Sequence, residues 1–319
     1  MANEALRKHI GEIRDFRRLL VPAGETPWLE RHAAPSHPVD VFLYLGCNIL
    51  RTAHLAYEVV GVFQALGMKF TAVGGPQNCC GVVHQRGGDP DGAVRMARSA
   101  VAQFESSGAK EAVIWCPTCL VRFGEAMEKG ILPRFPLTHA TAFLAGKVDR
   151  LSFGRELSAR VALHGHVGTP QRELDSQSAG RVLQSVPGVK MAGVISSPRL
   201  ESQCATVVLK DLAPQDFRSI RDDLVRQARE MGADTIATLY HSCQREWCEV
   251  GEAGLKVRNY ISIVAEALGC GRRDSFQEYK KLGNPEAIAA LSRPVWESHG
   301  LSEEQAREAA ARCFGPPKG

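Results

Sequence analysis

The sequence predicts an α/β protein in which a small parallel-sheet domain occurs twice in tandem. Each sheet is flanked by helices, and the copies are related by a pseudo-two-fold. Three observations carry this expectation. Apolar, strand-like runs alternate with segments of helical periodicity along the chain. Each cysteine group of the first half stands just after such a run. The spacing of distinctive residues also recurs, with 35 residues between Cys80 and Cys116 and 35 between Cys204 and Tyr240.

The elements follow in order. Leu6, Ile10, Ile13, Phe16, Leu19 and Leu20 recur at helical spacing, and Pro22, Gly24, Pro27, Pro35 and Pro38 mark a loop after them. Val41 to Leu45 is the first strand and runs into Gly46-Cys47; a helix is expected over about Thr52 to Leu66. Lys69 to Val73 is the second strand, followed by Gly74-Gly75-Pro76 and then Cys79-Cys80-Gly81. A helix over Asp91 to Ser107 leads to a third strand, Ala112 to Trp115, ending at Cys116; Cys119 opens the next helix. In the second half, strands are expected at Arg160 to Leu163, Val189 to Ile195 and Thr235 to Leu239. Helices alternate with them over Gln171 to Gln184 and Pro214 to Met231. Two short helical patterns, Pro285 to Trp296 and Ser302 to Arg312, precede Gly315-Pro316-Pro317. The expected division is 1–38 as N-terminal helix and linker, 39–150 and 151–272 as the two copies, and 273–319 as a helical tail.

With 319 residues, 44 % hydrophobic, the chain can bury a substantial core. A net charge of +4, well mixed, gives no reason to expect nucleic acid or an anionic membrane. Arg7, Lys8, Arg14, Arg17 and Arg18 read as the solvated face of the first helix. No run of eighteen apolar residues stands in the chain, and the N-terminus shows helical periodicity instead of a continuous apolar core. The expected compartment is therefore the cytosol. Ten cysteines in that compartment point to metal or redox chemistry before disulfides.

Cys47, Cys79, Cys80, Cys116 and Cys119 form the strongest signal. Open α/β sheets bind their ligands beyond the carboxyl ends of strands, where all three groups fall. Five thiolates gathered there suit the soft iron of an iron–sulfur cluster. Glycines around the adjacent pair supply turn chemistry. Cys116-Pro117-Thr118-Cys119 begins a helix whose amides favour thiolate charge. Four-thiolate zinc, an ordinary cubane and a thioredoxin-type couple each leave one or more of the five unused. Gly46, Gly74-Gly75 and Gly87-Gly88 make no dinucleotide fingerprint, and no phosphate-binding loop occurs, so neither flavin nor nucleotide is expected in this chain. His54 and His84 read as solvated loop or helix histidines, and Cys270 and Cys313 stand outside both motifs.

This pattern resembles the cysteine-rich CCG domain of heterodisulfide reductase B subunits. It also resembles that domain in iron–sulfur subunits of lactate, glycolate and glycerol-3-phosphate oxidation systems. The resemblance covers roughly residues 40 to 268 and implies two tandem CCG domains. By position, it makes the five cysteines ligands of one noncubane 4Fe-4S cluster with iron accessible to a substrate sulfur. The Leu45-Gly46-Cys47-Asn48 and Cys79-Cys80-Gly81-Val82 contexts look most like the second B-type subunit of sulfur-oxidising heterodisulfide-reductase-like complexes. The implied substrates are disulfides, thiols or persulfides, including sulfur carried by a lipoate-binding protein. The implied partners are a flavin-containing A-type subunit, a ferredoxin-like C-type subunit and another B-type subunit. Two other readings stay open: an electron-relay subunit of a hydroxy-acid or glycerol-phosphate dehydrogenase complex, and a non-catalytic metal-binding scaffold.

The second copy departs from the pattern. Val167, Gln203 and Tyr240 stand opposite Cys47, Cys79 and Cys116, so a second cluster of this kind is not expected. Cys204 and Cys243 remain, with Cys248, His164, His166 and His241 nearby in sequence. One reading is a zinc site drawn from these six. Another is a buried remnant with reduced thiols, and a third is a thiol pair for redox chemistry.

Overall fold

The computed structural model describes residues 2–26, 34–200, 204, 212–250 and 254–315. Pro27, Gln203, Pro316 and Pro317 lie outside the described residues. Two compact units are present, one of residues 1–56, 68–139 and 274–319, the other of residues 57–67 and 140–273.

The first unit is built on β1 (Val41–Gly46), β2 (Phe70–Gly74), β3 (Glu111–Ile114) and β4 (Leu137–His139). All neighbours are parallel, in the order β2-β1-β3-β4. Every residue of β1 is buried, as an apolar run covered on both faces demands. The core around it holds Phe42, Tyr44, Val73, Ile114, Phe104 and Phe123. Phe42 meets Phe104 edge-on at 6.0 Å, and Tyr44 meets Phe123 at 5.2 Å. Each such ring contributes about 1.5–3 kcal/mol through burial.

Helix α1 spans Ala2–Leu20, and α2 (Ala53–Ala65) begins after a 3-10 turn at Asn48–Thr52. A short α3 (Val82–Arg86) precedes α4 (Pro90–Ser106), where Asp89 caps by accepting from the Gly92 amide at 2.8 Å. Ala93, Ala97, Ala100, Val101 and Phe104 form the buried stripe of α4. Helix α5 (Pro117–Glu128) starts directly after β3. Next come α6 (Ala140–Ala145) and α7 (Pro170–Gln184), then α8 (Pro214–Glu230), α9 (His241–Trp247) and α10 (Tyr260–Leu268). The tail forms α11 (Ser275–Leu282), α12 (Pro285–Leu291), α13 (Arg293–Ser298) and α14 (Glu303–Phe314). It belongs to the first unit, where Phe16 of α1 packs on Phe276 at 5.9 Å and Phe314 at 5.3 Å.

The second unit repeats the plan with β5 (Ala159–His164), β6 (Val189–Ile195), β7 (Thr235–Thr238) and β8 (Lys256–Asn259). Their order, β6-β5-β7-β8, is that of the first sheet, and every pairing is again parallel. Two flanking segments pack here. Phe63 stacks on Phe143 at 5.3 Å, and buried Glu58 accepts from Ser262 Oγ at 2.6 Å and from the Arg272 amide at 3.0 Å. The α/β class and the twofold repetition agree with the sequence expectation. The fourth strand of each sheet was not anticipated, because Leu-Thr-His and Lys-Val-Arg-Asn are too short and polar to show a strand pattern.

Gly81 has φ +89°, and a Cβ added there would lie 2.2 Å from the Ala93 carbonyl oxygen. Gly130, at φ +66°, has nothing within 4 Å of its own added Cβ. Gly130→Ala is expected to cost only the backbone term, about 1–2 kcal/mol. Gly81→Ala should cost a further ~1–3 kcal/mol for the overpacking. Equilibrium urea unfolding of the two variants measures the difference.

Candidate metal centre

The first site forms where β1, β2 and β3 end side by side. Cys47 follows β1 as the residue before the 3-10 turn. Gly46, at φ +78°, lets that end come close to the next loop: an added Cβ would stand 3.0 Å from Cys116 Cβ and 3.2 Å from Cys119 Sγ. Cys79 and Cys80 sit between the turns made by Gly75 and Gly81, both with positive φ. The Tyr44 hydroxyl donates to the Asn78 carbonyl, and Asn78 Nδ2 donates to the Gly74 carbonyl at 2.7 Å, which pins this turn to β1. Cys116 is the N-cap of α5, Pro117 its first residue, and Cys119 lies in its first turn.

All five thiols are free and buried, none more than 7 % exposed. They form one connected network of side-chain hydrogen bonds: Cys47 to Cys79, Cys79 to Cys80, Cys80 to Cys119 and Cys119 to Cys116. The network favours ionisation of two members. Cys79 is held down to about 2 by bonds from Cys47 and Cys80, with the Gly81 and Val83 amides assisting against burial. Cys116 is lowered by Cys119 together with the Cys119 and Thr118 amides. Cys47 and Cys119, the donors in these pairs, are raised by those same bonds and by burial. Burial and the neighbouring thiols push the Tyr44 phenol up, so it stays a neutral donor.

Five sulfur donors, shut off from water and served by backbone amides, fit an iron–sulfur cluster better than the rivals. Exposed thiols suit a thioredoxin-type couple, and Cys116 and Cys119 are 7 % and 2 % exposed. The nearby histidines are otherwise engaged: His84 Nδ1 meets Asp89 at 3.0 Å and His54 Nδ1 meets Asp274 at 3.2 Å. Cys270 is half-buried beside Gly61, and burial raises the Cys313 thiol on α14.

The second unit carries a different set at the same strand ends. Val41 pairs with Glu111 as Val161 pairs with Thr235. Counting forward from these pairs, Val167 occupies the place of Cys47, Tyr240 that of Cys116 and Cys243 that of Cys119. The same count puts His164 at the place of Tyr44 and His166 at that of Gly46. Bulky rings therefore fill the space the first unit leaves to its thiols: His166 stacks on Tyr240 at 5.4 Å and 14°, and His164 lies 4.4 Å from the Trp247 ring.

His164, His166, Cys204 and Cys243 converge, each offering one ligand atom with all four atoms within 4.8 Å of one another. Burial pushes His164 below the usual imidazole range and Cys204 above the usual thiol range. Burial also works against ionisation of Cys243, but Cys204 and the two imidazoles outweigh it and hold that thiol well below its ordinary value. Cys248 and His241 are buried but do not join this quartet; Cys248 Sγ points to the Arg245 carbonyl at 3.6 Å.

Beside the quartet lies a buried polar network that sequence reading missed. Tyr240 donates to Asp175 Oδ2 at 2.6 Å and accepts from Arg172 at 3.0 Å. Thr141 and Gln171 donate to Asp175 Oδ1 at 3.0 and 2.9 Å, and Arg172 stands 3.8 Å from Asp175. Arg172 and Asp175 lie on one face of α7 at i, i+3, but nothing in the sequence said that this face is buried.

Residues 41–124 match the family model described as a cysteine-rich domain, CCG. The chain is 28 % identical over 260 residues to the D subunit of the dihydromethanophenazine:CoB--CoM heterodisulfide reductase of Methanosarcina barkeri, covering 76 % of this chain and 62 % of that relative. Its counterpart from Methanosarcina mazei is 26 % identical over 258 residues with the same coverage. The chain thus spans 62 % of the length of the curated relatives it matches. Among solved structures, the allantoin racemase from Klebsiella pneumoniae aligns over 88 % of this chain and 95 % of its own at 15 % identity; a TM-score of 0.27 carries no weight.

Removing Arg172 leaves the fully buried Asp175 without its cation. Arg172→Met is expected to lower stability by about 3–5 kcal/mol, and Arg172→Met with Asp175→Leu to recover part of that loss. Denaturant midpoints of the two variants and of Asp175→Leu alone complete the cycle.

Proposed function

We propose that this CCG-domain chain, similar to heterodisulfide reductase subunits, is the iron–sulfur electron-transfer subunit of a heterodisulfide-reductase-like complex. Cys47, Cys79, Cys80, Cys116 and Cys119 hold one noncubane 4Fe-4S cluster. The observation that carries the reading is the single connected network of five buried thiols, one more than an ordinary cubane uses. When bound, the cluster supplies one-electron chemistry and an iron that a substrate sulfur can ligate.

The chain's own residues supply the setting. The amides of Gly81, Val83 and Thr118 offset thiolate charge on Cys79 and Cys116. Tyr44, kept neutral, and Asn78 fix the Gly75–Gly81 turn, so that the adjacent cysteines are presented in one arrangement before any metal arrives. Burial excludes water, which protects sulfur-centred electron transfer from hydrolysis and stray oxidation. Disulfide, thiol or persulfide sulfur is the substrate class that a thiolate-ligated iron accepts. Sulfur oxidation with a lipoate-borne substrate, and assembly with a flavin-containing A-type subunit, a ferredoxin-like C-type subunit and another B-type subunit, extend this reading. Cytoplasmic placement also belongs to the proposal; among the described residues no helix is long and apolar enough to cross a membrane.

Protein purified without oxygen is expected to contain about four irons and four acid-labile sulfides per chain. Cys80→Ser should lose most of the iron and the paramagnetic signal seen in the native protein. Mössbauer spectra should show inequivalent irons unlike those of a cubane. Zinc in the first motif with no iron would refute the proposal.

A further inference from the structure

We propose that His164, His166, Cys204 and Cys243 bind a single zinc ion that ties the second unit together. This does not depend on the iron–sulfur reading, because it uses none of the five first-unit cysteines. Tetrahedral zinc, with bonds of about 2.3 Å to sulfur and 2.0–2.1 Å to nitrogen, sets its ligand atoms about 3.3–3.8 Å apart. The four atoms here all fall within 4.8 Å of one another, and His166 Nε2 already stands 3.1 Å from Cys243 Sγ.

The surroundings are those of a ligand set. His166 Nδ1–H donates to the Leu200 carbonyl at 2.8 Å, which leaves the Nε2 lone pair free to bind a cation. Trp247 Nε1–H donates to Cys204 Sγ at 3.3 Å, a bond that favours a thiolate there. His164 is fully buried, and neither of its ring nitrogens has a well-formed hydrogen bond. An unsatisfied buried polar group of this kind destabilises the fold, and a bound ion would remove that cost.

A two-iron cluster with two histidines and two cysteines uses the same donor types. It places the imidazoles on one iron and the thiolates on the other, so the two pairs stand apart by the width of a sulfide-bridged core. The close approach of His166 to Cys243 favours one ion instead. With four protein ligands a tetrahedral ion has no position left open for substrate, so the ion is structural. It joins the end of β5, the turn after it, the segment after β6 and the first turn of α9.

The test uses the full chain, produced with iron and zinc both supplied. About one zinc per chain is expected, with a zinc-edge X-ray absorption shell of two sulfurs and two nitrogens. Cys80→Ser should keep that zinc although it loses iron, and Cys243→Ala should lose the zinc and keep the iron. Should Cys243→Ala fail to fold, the absorption shell of the native protein decides. Native protein without zinc, zinc lost with Cys80→Ser, an all-sulfur shell, or iron held by the second unit would each overturn the proposal.

Discussion

Strand order is the constraint on which both candidate centres depend. With β1 in the middle and β2 and β3 on either side, three consecutive strand–loop–helix passages end next to one another. Parallel pairing sends all three loops to the same edge. Cysteines far apart in sequence are thereby gathered without any long-range contact designed for them alone. Gly46 then sets how tightly the loops can close, since a side chain at that position would occupy the space taken by Cys116 and Cys119.

The repeat sets two different groups of side chains on one backbone plan. In the first unit, small residues and thiols leave room at the strand ends, and amides converge there. In the second, His166 stands where Gly46 stands, and Tyr240 where Cys116 stands, so two stacked rings occupy the places of a glycine and a thiol. The loss of three cysteines is thus accompanied by ring stacking and by the Asp175 network, which anchors Tyr240. The two sites differ by a handful of side chains on the same sheet order.

Much of this was legible before any coordinates. The six expected strands announce themselves as apolar runs, most clearly β1, which is buried along its whole length. The five cysteines were found through spacing, and Tyr240 and Cys243 were set opposite Cys116 and Cys119 by the 35-residue gap. Other features left no local trace. β4 and β8 are edge strands of three and four residues with mixed polarity. Choosing His164 and His166 over His241 and Cys248 required the register of β5 and the turn after it. That Arg172 and Asp175 are interior residues depends on which face of α7 meets the sheet, and charged residues signal the opposite.

The first unit is assembled from three separate stretches of chain, and its last stretch begins only at residue 274. Phe16 near the start finds Phe276 and Phe314 near the end, and Arg312 reaches Asp15 at 2.8 Å. On the ribosome, where the N-terminal portion emerges first, the contacts of Phe16 with Phe276 and Phe314 can form only after that last stretch has emerged. The second unit, lying between those stretches, is available to fold earlier. The helices that pack on α1 therefore arrive after every cysteine-bearing strand end of the first unit has been made.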